Sequence, residues 1–225
     1  MSTFVPVQVG CPACQHTEEQ VLAQSIHGPR LPQAVEEILD GRFQRVRCSA
    51  CGVIFQMDAP LVFMDFEQKI WIAMYPRLWE ARWAELEAET LETFSQNTVK
   101  NAPRIVREMV QGFRVRTVFG LDALREKLLC FQHDLPDAAL EVFKLQLVRD
   151  LPKATFFLDH KPRLVAVVDQ ELQFDMRLGE ERQVLSFSRT GLDQLVLNPL
   201  GWVSAHSAIN GRAYVDLGRL SQAKI

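Results

Sequence analysis

Two Cys-x-x-Cys pairs set the strongest limit on how this chain can fold. Cys11-Pro-Ala-Cys14 and Cys48-Ser-Ala-Cys51-Gly52 are separated by residues 15–47. In each pair the spacing lets a tight turn aim both sulfurs at one cation, and four thiolates complete a tetrahedral zinc shell. Soft sulfur donors select zinc or iron over magnesium and calcium. The intervening segment is longer than the roughly 15–20 residues common between such pairs, so it must fold back on itself. Gly52 suits the place just past a knuckle, where a positive φ is often required. The expectation is one structural zinc ion on Cys11, Cys14, Cys48 and Cys51, with a four-cysteine iron site as the main alternative.

A redox reading competes for Cys11-Pro-Ala-Cys14 alone, since reactive dithiols share the spacing. The second pair, the absence of a βαβ pattern and the polar Gln15-His16-Thr17 argue against it. His16 and His27 read as surface residues or supports, because four cysteines already fill the shell. A filled shell has no open position for water or substrate, so the metal is expected to be structural rather than catalytic. Four thiolates on a dication carry about −2 formal charge, which Arg42, Arg45 and Arg47 can balance. The competing reading of these arginines is nucleic-acid binding.

The fifth cysteine, Cys130, has no second cysteine near it and reads as a core thiol. An odd cysteine count with no export signal fits a reducing, cytoplasmic setting better than a disulfide framework. The longest uninterrupted apolar run is Ile70–Tyr75, far short of the about 18 residues that suggest a membrane span. Lys and Arg number 25 against 28 Asp and Glu, a net charge of −3, which argues against a dedicated polyanion binder.

Along the chain the pattern is α+β: an N-terminal lobe of short antiparallel strands and knuckles around one short helix, a helical middle, and C-terminal antiparallel strands. The expected segments are 1–76, 77–153 and 154–225. In the first, Leu31–Gly41 reads as a helix with Pro32 in its first turn. Val53–Met57, Leu61–Met64 and Lys69–Met74 read as strands. Pro76 ends the last of them, and Trp79, Trp83, Leu86 and Phe94 then recur at helical spacing. The acidic stretch 80–95 precedes a basic stretch, 100–116. The two are expected to pack side by side, with a phosphate-binding strip as the competing reading. Leu121–His133 and a segment opening at Asp134-Leu-Pro-Asp137 read as paired helices, the second carrying Leu140, Phe143, Lys144, Leu147 and Leu151 on its stripe. Thr155–Leu158, Arg163–Val168, Leu172–Leu178 and Gln183–Ser188 read as strands, Leu192–Leu197 as a short helix, and Trp202–Val203 and Ala213–Leu217 as final short strands.

Several of these pieces together resemble the CpXC family, a bacterial and archaeal group named for its first knuckle. They are the two knuckles, Leu39-Asp-Gly41, Leu61-Val-Phe-Met-Asp65 and the Ile70–Pro76 strand. Val118-Phe-Gly-Leu121, Leu124-Arg-Glu-Lys127 and Asp134–Lys144 extend the resemblance over most of residues 8–150. Ser49 and Met64 depart from the pattern, which favours proline and histidine there. The resemblance implies a zinc-ribbon-like domain and no particular activity.

The chain has no GxxxxGK, GxGxxG, HExxH or GxSxG motif. Asp159-His160, His133-Asp134 and His206 with Ser204 or Ser207 read as surface or loop residues. Asp65 reads as a carboxylate that caps turn N–H groups. The expected function is a zinc-stabilised protein-interaction module, an adaptor or accessory, without catalysis of its own. Trp71, Trp79, Trp83 and Trp202 are its candidate anchors or core residues. The alternative is a nucleic-acid-binding zinc ribbon.

Overall fold

The computed structural model describes residues 2–151 and 161–222. The expected strand Thr155–Leu158 and the pair Asp159-His160 lie outside the described residues. The chain divides into two compact units, Met1–Leu124 and Arg125–Ile225.

The first unit is built on strands β1 (Thr3–Gly10) and β2 (Thr17–His27), helix α1 (Pro32–Leu39), and the short strands β3 (Arg45–Arg47) and β4 (Ile54–Gln56). Strands β5 (Leu61–Asp65) and β6 (Ile70–Tyr75) follow, then α2 (Trp83–Ser95), α3 (Arg104–Met109) and β7 (Arg114–Phe119). Five strands form one sheet in the order β1-β2-β5-β6-β7, while β3 and β4 form a separate ribbon. The pairs β1–β2, β3–β4 and β5–β6 are antiparallel, but β2–β5 and β6–β7 are parallel. Parallel neighbours need a long crossover. The segment 28–60, carrying α1 and the small ribbon, supplies the first, and α2 with α3 supplies the second.

Alternation along β5 sorts its side chains: Leu61, Phe63 and Asp65 are buried, while Val62 and Met64 are only half-buried. All six residues of β6 are buried, as expected of a strand between two neighbours. Gly28 packs so closely that a Cβ there would lie 2.8 Å from the Phe63 ring. Between the oppositely charged stretches 80–95 and 100–116, Lys100 Nζ pairs with Glu92 at 2.9 Å.

Helix α4 (Leu121–Gln132) leads into the second unit, which holds α5 (Asp137–Asp150), β8 (Arg163–Val168), β9 (Glu171–Leu178), β10 (Glu181–Ser188), α6 (Arg189–Leu197), α7 (Val203–Ile209) and α8 (Leu217–Gln222). The three strands form an antiparallel sheet in the order β10-β9-β8. Leu172, Phe174 and Met176 alternate onto its buried face, and α6, α7 and α8 pack against α5. The expected strands at Trp202–Val203 and Ala213–Leu217 are corrected here. Val203 begins α7, residues 213–216 are buried without strand pairing among the described residues, and Leu217 begins α8. Runs of two to five apolar residues are too short for their period to separate strand from helix. No helix among the described residues is long and apolar enough to cross a membrane.

Candidate metal centre

Each Cys-x-x-Cys pair occupies the tip of a hairpin. Gly10 pairs with Thr17 at the end of β1–β2, and residues 11–16 form the connection. Arg47 pairs with Ile54 at the end of β3–β4, and residues 48–53 form that one. The two connections have the same hydrogen bonds. The Cys11 N–H donates to His16 C=O and the Gln15 N–H to Cys11 C=O, each at 2.9 Å. Correspondingly, the Cys48 N–H donates to Val53 C=O and the Gly52 N–H to Cys48 C=O, also at 2.9 Å. The fourth residue after each leading cysteine has a positive φ, 61° at Gln15 and 74° at Gly52.

The two tips meet. Cys11 Sγ lies 3.6 Å from Cys51 Sγ, and Cys14 Sγ lies 3.6 Å from Cys48 Sγ. All four sulfurs fall within 4.8 Å of one another. A disulfide needs sulfurs about 2.05 Å apart, and all four cysteines are free. Tetrahedral ligands at a metal–sulfur distance of about 2.3 Å would be about 3.8 Å apart, so the spacing suits one ion at the centre. The leading cysteine of each pair is buried and the trailing one exposed, so the cluster has an inner and an outer side. The four cysteines could hold a metal ion.

Electrostatics divide the sulfurs further. The backbone N–H of Cys14 leads the influences that hold the Cys11 thiol down to about 7. The Cys14 thiol goes the other way, to about 12. The His16 N–H favours its thiolate, but the Cys51, Cys11 and Cys48 sulfurs and burial outweigh it. Cys51 is also raised: the Val53 N–H favours its thiolate, and burial with Cys11 and Cys48 overrides it. The cluster therefore forms one thiolate readily and resists the next, as expected of like charges crowded without a cation.

Supports surround the knuckles. Gln44 accepts from Ala23 N–H at 2.9 Å, tying β2 to the second hairpin, and Gln56 donates to Phe43 C=O at 2.8 Å. Arg42 is turned to Asp40 at 2.7 Å, while Arg45 and Arg47 are exposed on one side of β3. His16 is exposed, and His27 is stacked on Phe66 at 5.6 Å. Asp65 accepts from Glu67 and Gln68 N–H at 2.9 and 3.0 Å, the turn-capping role expected for it. Trp71 is buried, Trp79 is exposed, and Trp83 and Trp202 are intermediate. Cys130 is fully buried, and burial pushes its thiol well up, as suits a core position.

A second cluster of ligand-type residues lies in the second unit, and the sequence reading missed it. Carboxylate oxygens of Glu126, Glu141 and Asp216 lie within 4.8 Å of one another, all buried. Protein donors already serve each carboxylate. Glu126 accepts from Lys144 and Arg163 at 2.9 Å and from Leu164 N–H at 2.7 Å. Glu141 binds Lys127 at 3.1 Å, Lys144 at 2.7 Å and the Leu217 N–H at 3.0 Å. Asp216 takes Lys161 at 2.6 Å, Arg163 at 2.7 Å and the Gly218 N–H at 2.7 Å. With Asp137 beside Lys127 at 3.7 Å, four carboxylates face four cations. This is a formally neutral buried lattice joining α4, α5, β8 and the start of α8, in which protein cations already balance the carboxylates. Its signal in the sequence was Lys144 sitting on an otherwise apolar helical stripe.

A family model described as CpXC protein matches residues 9–144, which include both knuckles, strands β2 to β7 and the first part of α5. No curated protein and no solved structure matches the chain.

Proposed function

The chain belongs to the CpXC family, and from that premise we propose that it is a protein-interaction module, an adaptor or accessory, in which one structural zinc ion on Cys11, Cys14, Cys48 and Cys51 holds the N-terminal lobe together. The observation that carries this reading is the pair of equivalent hairpin tips, whose sulfurs stand 3.6 Å apart across the cluster. A four-sulfur shell leaves the cation no free position, so the role is to fold and present a surface rather than to activate water. The metal closes a loop between distant hairpins, where a two-strand ribbon has little core of its own. Exposed large apolar side chains, Leu78 in the first unit and Leu197 and Leu200 in the second, support a role in contact with other proteins.

Metal analysis of the purified protein tests the first half: one zinc per chain is expected, and iron in its place would replace zinc in the reading. Cys48→Ser should lose the metal and the cooperative unfolding of the first unit, and an unchanged variant would overturn the structural role. Cross-linking in cells followed by reconstitution with the purified candidate tests the second half. Failure to obtain any stoichiometric complex would sink the adaptor reading.

Arg45 and Arg47, exposed beside the second knuckle, favour nucleic-acid binding as the second reading. It predicts a gel shift that weakens steeply with salt. The net charge of −3 weighs against it.

A further inference from the structure

Within the first unit, the face of the sheet carrying Val62 and Met64 is not fully covered. Helix α2 lies over part of it, and the remaining space is a trough of about 380 Å³. Pockets for small organic ligands run from roughly 300 to 1,000 Å³. The trough's aromatic wall is a connected set. Phe66 meets Phe113 edge-on at 5.3 Å, Phe113 lies 6.1 Å from Phe94, and Phe94 meets Trp71 edge-on at 5.6 Å.

The helical wall is irregular at this place. After Ser95 the chain makes a π turn, Gln96–Lys100, in which Asn101 N–H donates to Gln96 C=O at 3.2 Å. The Thr98 hydroxyl donates to Phe94 C=O at 2.5 Å, tying the turn to the end of α2. Such insertions recur at functional sites. Here the turn places Asn97 and Thr98 among the lining residues.

Two properties of the lining define a ligand. It contains no charged side chain, although 24% of the chain is charged. Of its polar members, Gln24 and Asn97 are exposed and Ser25, Thr93 and Thr98 are half-buried. Among the described residues, the side chains of Gln24, Thr93 and Asn97 have no hydrogen-bond partner. Aromatic walls favour a flat π system, and carboxamides can donate or accept at its edge. An ionised ligand would lose hydration there without gaining a counter-charge.

We infer that this trough, bounded by β2, β5, β6 and the π turn after α2, is a binding site for a neutral, planar aromatic or heteroaromatic small molecule. It is separate from the cysteine cluster and does not depend on the function proposed above.

The test uses the full-length, metal-loaded protein and the neutral fluorescent probe N-phenyl-1-naphthylamine. Saturable binding of one probe per chain is expected, with its fluorescence enhanced. Val62→Trp should fill the trough and weaken binding at least tenfold while circular dichroism and metal content stay unchanged. If that variant loses fold, Met64→Trp makes the same test from the neighbouring position. The anionic analogue 8-anilino-1-naphthalenesulfonate should bind at least tenfold more weakly than the neutral probe. Three results would overturn the inference: no saturable binding, equal binding by a folded Val62→Trp or Met64→Trp protein, or equal affinity for the anion. A dimer in sedimentation that Val62→Trp dissociates, with no probe bound, would instead assign the trough to a second copy of the chain.

Discussion

Gln15 and Gly52 hold the same position in their two knuckles: each follows its leading cysteine by four residues, each donates to that cysteine's carbonyl at 2.9 Å, and each has a positive φ. Glycine takes this conformation freely, whereas a residue with a Cβ is strained there by about 1–2 kcal/mol. No atom lies within 4 Å of a Cβ added at Gly52, so backbone strain alone decides the cost. Gly52→Ala should therefore destabilise the first unit by about 1 kcal/mol, and Gln15→Gly should stabilise it by up to about 1 kcal/mol. Urea unfolding of the metal-loaded variants checks both signs. Equal effects in the same direction would contradict the equivalence of the knuckles.

The knuckles were legible because a metal shell leaves a spacing in the sequence that no packing pattern imitates. Sheet topology was harder to read. Arg114-Val-Arg-Thr-Val-Phe119 carries three β-branched residues but does not alternate, its arginines read as charge, and nothing local says that it pairs parallel with β6. The hairpin β1–β2 escaped for a related reason. Its β1 residues are mostly exposed, so no apolar run marks it. The buried ion lattice is long-range by nature: Glu126 and Arg163 are brought together by the fold, and each alone looks like an ordinary surface residue.

Metal affinity should depend on pH with a definite sign. Cys11 is held down near 7, while Cys14 and Cys51 are raised without a cation. Binding must then expel protons from the raised thiols, so affinity falls as pH falls and rises as pH rises. Between pH 6 and 8 the apparent zinc affinity should increase by about tenfold or more per pH unit, one decade for each proton released. Competition against a chromophoric chelator at several pH values measures it. A pH-independent affinity would show that the thiols are not the ligands.

Gly28 is tightly packed. A methyl group there would stand 2.8 Å from the Phe63 ring, which is itself 2% exposed and has no open side to move toward. Gly28→Ala should cost about 1–3 kcal/mol through overpacking. Pairing it with Phe63→Leu should recover part of that loss, because the smaller side chain vacates the contact. Denaturant midpoints of the two single variants and the double variant give the coupling, and strict additivity would exclude the steric explanation.

The ion lattice of the second unit makes it sensitive to acid. Burial opposes the charged form of Glu126, but Lys144 and Arg163 override it and hold its carboxyl down to about 2, against 4.5 when unfolded. A carboxyl lowered by folding contributes stability that is fully present above its unfolded value and is lost as pH falls through its folded one. Asp216 is lowered for the same reason: burial opposes its charge, and Arg163 and Lys161 outweigh burial. Glu141 runs the other way, raised by burial against the pull of Lys144 and Lys127, so it offsets part of the effect. The second unit should therefore lose stability progressively from about pH 4.5 toward 2. Glu126→Gln leaves Lys144 and Arg163 short of a partner and should cost about 3–5 kcal/mol at neutral pH. That penalty should shrink as pH falls below about 4.5, because acid protonates Glu126 in the unfolded chain while Lys144 and Arg163 keep it ionised in the folded one down to about 2. Amide exchange at Leu164, whose N–H donates to Glu126, gives a local readout. If the variant's penalty were the same at pH 7 and pH 3, the charge on Glu126 would not be what stabilises the unit.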